Sequence, residues 1–232
     1  MCRLNNITST EPELEKWSAV DAWFTALFAP AEDIFERVLA ANVEAGLPAH
    51  DVSMMQGKML AFFITLMQAK TILEIGTLGG FSTLWMARAL PAEGRITTLE
   101  ADEQHARVAR QNIHNAGLSD RVDLRTGKAL EVLPSLSGPF DIIFIDADKK
   151  NNPGYLDWAL RLSRPGTLII ADNIVRGGAI LESQSPDDNV QGIRTFLSRV
   201  ANHPHLTATA LQTVGAKGWD GFALAVVTPA KT

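Results

Sequence analysis

The 232-residue chain is 46% hydrophobic and 20% charged, enough apolar material to offset the entropy of ordering, so disorder is excluded for most of it. Lys and Arg number 21 against 26 Asp and Glu, a net charge of −5 without a dense basic cluster, which argues against nucleic acid as a partner. The one cysteine, Cys2, leaves no intrachain disulfide or cysteine metal site, and the longest apolar stretch, residues 59–69, is interrupted by Thr65 and Gln68 and is too short to cross a bilayer.

Residues 11–68 read as three helices, with breaks at Pro30 and at Gly46-Leu47-Pro48. Glu11, Glu13, Glu15 and Asp21 stand where a signal peptide would be basic and then apolar, so a cytoplasmic protein is expected. The third helix, starting near Ser53, spreads Met54, Met55, Met59, Met67, Phe62, Phe63 and Leu66 over more than one face. That composition suits a core or subunit-contact helix; the alternative is that part of it lines a site for a flat apolar ligand.

After Lys70 short β-branched runs alternate with helical segments, the pattern of a parallel sheet. Strands are expected at 71–75, 95–100, 121–125, 140–145 and 167–171, and helices at 81–89, 103–116, 130–133, 153–163 and 190–201. Ile142-Ile143-Phe144-Ile145 and Leu168-Ile169-Ile170 lack alternation, as strands covered on both faces should. The tail segments 206–213 and 222–227, separated by Gly215, Gly218 and Asp220-Gly221, suggest an antiparallel pair with a long turn. Without repeats or linkers, residues 1–232 read as one α/β domain, with a helical extension over 1–50 and an α/β core over 51–232.

Open α/β sheets bind ligands beyond the carboxyl ends of their strands. The first strand runs into Glu74-Ile75-Gly76-Thr77-Leu78-Gly79-Gly80-Phe81-Ser82, where glycines permit a tight turn and close approach of a ligand, although such a turn can also be purely structural. Glu74 occupies the first glycine position of a dinucleotide fingerprint; a carboxylate there disfavours a pyrophosphate and suits a cationic ligand. Glu100 ends the second strand, where an acid accepts hydrogen bonds from ribose hydroxyls. Glu100 is compatible with nicotinamide or S-adenosylmethionine; Glu74 favours the latter, which carries a sulfonium and an ammonium but no phosphate.

The fourth strand ends in Asp146-Ala147-Asp148-Lys149 and the fifth in Asp172-Asn173. Two bare carboxylates about 4 Å apart repel by roughly 4 kcal/mol at an effective dielectric of ~20, so Asp146 and Asp172 call for a proton or cation between them. A hard divalent ion such as magnesium suits their oxygens and the Asn173 amide. Otherwise Asp172-Asn173 forms only a turn and Asp148 caps the next helix. Lys149, three residues after Asp146, could face the same cavity and act as a base.

The run from Glu74 to Ser82, with Phe144-Ile145-Asp146-Ala147-Asp148-Lys149 and Ala171-Asp172-Asn173, resembles the cation-dependent, S-adenosylmethionine-dependent O-methyltransferases, the group of catechol and plant caffeoyl-CoA O-methyltransferases, and especially their small bacterial members. The resemblance covers about residues 52–227. It implies a Rossmann-like α/β fold: a seven-stranded, mostly parallel sheet with the last strand antiparallel, helices on both faces and extra N-terminal helices. It implies that Val52, Glu74, Gly76, Thr77 and Ser82 surround the methionine part of the cofactor, that Glu100 holds the ribose and that Ala129 lies at the adenine. Asp146 would serve cofactor and metal, Asp172 and Asn173 would complete the ligands of a divalent cation such as magnesium, and Lys149 would be the general base.

The acceptor side departs from the plant pattern. Of two tyrosines after the lysine only Tyr155 remains, with Asn152 at the other position, and Arg176 replaces an aromatic residue after the Asp-Asn pair. Both changes argue against a coenzyme A thioester. Trp219 either closes over an aromatic acceptor or packs beside the Asp-Gly turn. The expected activity is methyl transfer to one hydroxyl of a small vicinal dihydroxy aromatic compound by a homodimer, without nucleic-acid or membrane partners; a nicotinamide-dependent oxidoreductase and a non-catalytic nucleoside-binding protein remain open.

Overall fold

The computed structural model describes residues 11–29 and 33–229, so the expectations placed on Cys2 and Pro30 lie outside the described residues. Its strands are β1 (Thr71–Ile75), β2 (Arg95–Glu100), β3 (Val122–Thr126), β4 (Ile142–Ile145), β5 (Leu168–Asp172), β6 (Leu206–Gly215) and β7 (Gly218–Val227). They form one sheet in the order β3-β2-β1-β4-β5-β7-β6. β7 runs antiparallel to β5 and β6, and every other pair is parallel, as the resemblance implied.

The unbroken apolar strands are explained by layers on both sides. Ile72, Phe144, Ile170 and Phe222 pack into one core, and Leu73, Ile143, Ile145 and Ile169 into the other. The first core is closed by α2 (Asp33–Glu44), α3 (Met54–Met67), α4 (Phe81–Ala89) and α5 (Glu103–Asn115), through residues such as Phe35, Leu60, Leu84 and Ala109. The second is closed by α6 (Ala129–Val132), α7 (Asn152–Arg161) and α8 (Asp188–Asn202), through Ala129, Leu156, Ile193 and Phe196. α1 (Glu11–Phe28) buries no residue and packs beside α3 and β6.

α3 begins in a capping box: the Gln56 N–H donates to Ser53 Oγ at 3.2 Å, and the Ser53 N–H to Gln56 Oε1 at 2.6 Å. Its inner face carries Gly57, Leu60 and Ile64. Gly57 is required by proximity, since a Cβ there would lie 2.2 Å from Trp85 Cδ1.

Most expected elements form with small shifts at their ends. β3 starts at Val122, because the Arg121 N–H instead closes a turn onto Leu118 O. β4 starts at Ile142, because the Asp141 carboxylate accepts the Lys70 and Thr71 N–H groups across the sheet end. α8 starts at Asp188, with the Asp187 side chain accepting from the Asn189 N–H.

The C-terminal turn is the clear correction. β6 and β7 pair without interruption from Leu206↔Val227 to Gly215↔Gly218, leaving only Ala216 and Lys217 between them. Gly218, at φ 89°, provides the left-handed residue that such a short connection needs. Asp220-Gly221 therefore lies within β7, and the long turn does not exist.

Candidate active site

Parallel register brings the chemistry-bearing residues into one row. Glu100 pairs with Thr126, Asp172 with Phe222, and Ile145 lies between Ile75 and Ala171. Gly76 and Asp146 therefore follow at the same level, with the Gly76 N–H bonded to Leu99 O and the Asp146 N–H to Ile75 O. Gly76 has φ 100°, and a Cβ on it would sit 2.0 Å from Asp146 O, so only glycine permits this close approach.

A cavity of about 1170 Å³ lies over this row. Its lining runs along the sheet from Glu100 at the end of β2, with Val52, Gly76, Thr77, Ser82 and Ala129, to Asp146, Lys149, Tyr155, Asp172, Asn173 and Arg176 beyond β4 and β5. Two sequence-predicted residues, Glu74 and Trp219, do not line it.

Glu74 is fully buried and accepts hydrogen bonds from Ser82 Oγ and Thr83 Oγ1 at 2.5 Å and from Thr98 Oγ1 at 2.6 Å. Burial pushes its carboxyl up to about 7 against the pull of these hydroxyls, and the Asp146 charge adds to the rise. Glu74 does not itself line the cavity and meets it through Ser82, which does. Because the folded protein holds this proton more tightly than the unfolded chain, Glu74 reduces stability as pH rises from about 4.5 to about 7. Thermal unfolding of the unliganded protein should show that decline and Glu74→Gln should flatten it; parallel profiles would remove Glu74 as its source.

Glu100 ties two turns together. Its Oε2 accepts from the Thr77 N–H at 3.2 Å and the Leu78 N–H at 2.8 Å, and its Oε1 from the Asp102 N–H at 2.9 Å. Each carboxylate oxygen has two acceptor sites, so one remains, on Oε1, for a further donor such as a ribose hydroxyl.

At the other end, Asp172 is 1% exposed and Lys149 5%. Burial holds the Asp172 carboxyl well above its ordinary value; the Asp146 charge raises it further and Lys149 opposes the rise. Lys149 Nζ lies 2.8 Å from Asp146 Oδ1. Among the described residues no three His, Cys, Asp or Glu side chains gather as a metal group. The set here is two carboxylates and one amide, and an acid whose proton affinity is raised by a second acid is a place where positive charge is favourable. Those oxygens fit a hard divalent ion that keeps several waters.

Asp148 precedes the short helical turn Lys149–Asn151 but makes no side-chain cap. It accepts hydrogen bonds from the Tyr155 hydroxyl and, at 2.6 Å, from Asn151 Nδ2, correcting its reading as a cap. Burial and this carboxylate push the Tyr155 phenol up, leaving it neutral beside the cavity. Asn152 is buried off the cavity. Trp219 donates its indole N–H to Gln212 Oε1 at 2.9 Å, and its ring lies over Gly178, where a Cβ would come within 2.9 Å. Trp219 thus packs beside Gly178 and does not line the cavity.

Several lining residues escaped the sequence. On the Met-rich helix Met55 and Met59 line the cavity, while Phe62 and Leu66 are exposed. Asp51, raised by burial, accepts from Asn42 Nδ2 at 2.9 Å; its position directly before Val52 was the available signal. Lys217 and Asp220 reach the site from the hairpin and Asp21 from α1. Asp21 Oδ2 accepts the Ala216 N–H at 2.8 Å, and Lys217 Nζ donates to Ala49 O at 3.1 Å, so the hairpin tip is tied to the N-terminal segment.

A family model described as O-methyltransferase matches residues 28–225. A catechol O-methyltransferase from Niastella koreensis is 50% identical over 215 residues, covering 91% of this chain and 97% of that protein. The O-methyltransferase from Bacillus cereus solved in complex with SAH is similar at 54% identity and a TM-score of 0.91, covering 93% of this chain and all of that one. TomG from Streptomyces achromogenes, an O-methyltransferase involved in tomaymycin synthesis and solved with SAM, has 44% identity and a TM-score of 0.91, over 94% and 99% of the two chains.

Proposed function

Because the chain belongs to the O-methyltransferase family, we propose that it moves the methyl group of S-adenosylmethionine to one hydroxyl of a small vicinal dihydroxy aromatic acceptor, assisted by a divalent cation, magnesium. The carrying observation is one cavity lined both by Glu100 and Gly76 and by buried Lys149 and Asp172 with the half-buried Asp146. Family membership sets aside the nicotinamide-oxidoreductase and non-catalytic readings.

S-adenosylmethionine supplies an electrophilic methyl carbon, and a divalent ion held by Asp146, Asp172 and Asn173 would supply a Lewis acid for the acceptor oxygens. Glu100 accepts from a ribose hydroxyl, Ala129 leaves room for the adenine, and Val52, Thr77 and Ser82 enclose the methionine part. Lys149 Nζ, as the neutral amine left once its own extra proton has gone to solvent, takes the proton of the reacting hydroxyl. The oxygen then forms its bond to the methyl carbon as the carbon–sulfur bond breaks, with the electron pair passing to sulfur. The protein contributes position and charge rather than a covalent intermediate. Tyr155, fixed by Asp148, and Arg176 stand at the acceptor end.

Mass spectrometry of a phenol panel with S-adenosylmethionine tests this reading. Catechols should gain one methyl group and monophenols none; absence of transfer to every vicinal diol would overturn it.

A homodimer belongs to the same proposal. Trp23, Leu27 and Phe28 on α1 are 61%, 52% and 55% exposed, and Phe62 and Leu66 on the neighbouring α3 are 62% and 66% exposed. An apolar face of this kind suits a second copy; a single-chain mass in light scattering would exclude it. Among the described residues no helix is long and apolar enough to cross a membrane, and the cytoplasm is the proposed location.

A further inference from the structure

The segment leaving β5 holds an unusual backbone. Asn173 has φ 56° and Arg176 φ 52°, both left-handed, followed by Gly177 at 61° and Gly178 at 91°. Glycine takes this conformation freely, whereas Asn tolerates it and Arg resists it. The two non-glycine positions are the ones whose side chains line the cavity. A strained backbone of this kind persists only where its surroundings hold it.

The hold comes from β7. Asp220 Oδ1 accepts the Val175 N–H at 2.9 Å, the Arg176 N–H at 3.1 Å and the N–H of its own neighbour Gly221 at 2.9 Å. The Ile174 N–H donates to Gly221 O at 3.1 Å, extending the pairing of β5 with β7 past the end of the strand. Gly221 makes the approach possible: a Cβ there would lie 2.1 Å from Leu211 O and 3.0 Å from Val175 Cγ2. Asp220 itself lines the cavity with Asp172 and Asn173.

We propose that Asp220 is the positioning residue of the acceptor end: by gathering the Val175 and Arg176 N–H groups onto one carboxylate oxygen, it fixes the left-handed backbone that presents Asn173 and Arg176 to the acceptor. The kinetic consequence rests on the methyl-transfer reading above, whereas the backbone consequence does not. What the loop needs from Asp220 is an oxygen acceptor of the right reach, which an Asn side chain also offers and Ala does not.

Asp220→Ala and Asp220→Asn, compared with the parent protein, test this by amide hydrogen exchange, S-adenosylmethionine affinity and acceptor kinetics. In Asp220→Ala, protection of Val175 and Arg176 should fall at least tenfold and acceptor KM should rise at least tenfold, with cofactor Kd within twofold. Asp220→Asn should stay within threefold of the parent in all three. A role confined to stability predicts instead a lower Tm with an unmoved acceptor KM. Unchanged exchange in Asp220→Ala, or Asp220→Asn as impaired as Asp220→Ala, overturns the proposal. If the parent transfers no methyl group, the function reading fails and the exchange data still decide this one. If Asp220→Ala does not fold, a tenfold or greater loss of protection or rise in acceptor KM in Asp220→Asn overturns it.

Discussion

Lys149→Ala should lower kcat by about 10²- to 10⁴-fold, the range of general acid–base catalysis, while S-adenosylmethionine binds within threefold of the parent affinity. The two effects separate because Lys149 lies just beyond β4, bonded to Asp146, whereas the proposed ribose contact Glu100 ends β2, two strands away in the sheet. Lys149→Arg should not restore the rate, since a guanidinium keeps its proton and cannot serve as a base. Single-turnover methyl transfer and calorimetric titration of the cofactor read the two quantities independently. Lost cofactor binding in Lys149→Ala would make the Lys149–Asp146 pair a structural tie, and a normal rate would remove Lys149 from the chemistry.

Asp172→Ala should abolish the response to magnesium and reduce transfer by at least ~100-fold at limiting metal, the upper range seen when support of a metal site is removed. Excess chelator should have a comparable effect on the parent protein. Stability should move the other way in Asp172→Asn without ligands. Asp172 is buried beside Asp146 and its carboxyl is raised, so the folded state binds its proton more tightly than the unfolded chain does, and its charge costs stability as pH rises above the ordinary carboxylate range. The near-isosteric amide removes that charge, so Asp172→Asn should melt higher at neutral pH. Full activity in chelator would end the metal role, and an unchanged magnesium titration in Asp172→Ala would remove this side chain from the ligands. A lower melting temperature in Asp172→Asn would mean that the attraction between the Asp172 charge and Lys149 outweighs the cost of burying it.

The strand ends were legible because local pattern and parallel pairing point to the same place. Once 71–75, 140–145 and 167–171 are strands of one parallel sheet, Gly76, Asp146 and Asp172 must emerge on one side of it. The Asp220-Gly221 pair shows how a local signal misleads. It has the composition of a turn, yet Asp220 is needed for the N–H groups of another loop and Gly221 for close contact with Leu211 and Val175. The partners of Asp220 lie over forty residues away in the chain, beyond any window of neighbours.

Composition, strand periodicity and the three motifs by themselves determined an α/β sheet with Glu100, Asp146 and Asp172 at neighbouring strand ends, because these follow from chain order and strand direction. The tertiary structure alone decided which side chains reach the cavity. Glu74, in register with Thr98 on β2, points into the layer of α4, where three hydroxyls enclose it, while Gly76, two residues on, opens the floor of the site. Trp219 settles over Gly178 while its neighbours Lys217 and Asp220 line the cavity. The physical reason is that a side chain's surroundings are built by elements distant in the chain, so burial and facing are set by packing and not by the residue's own neighbours in sequence.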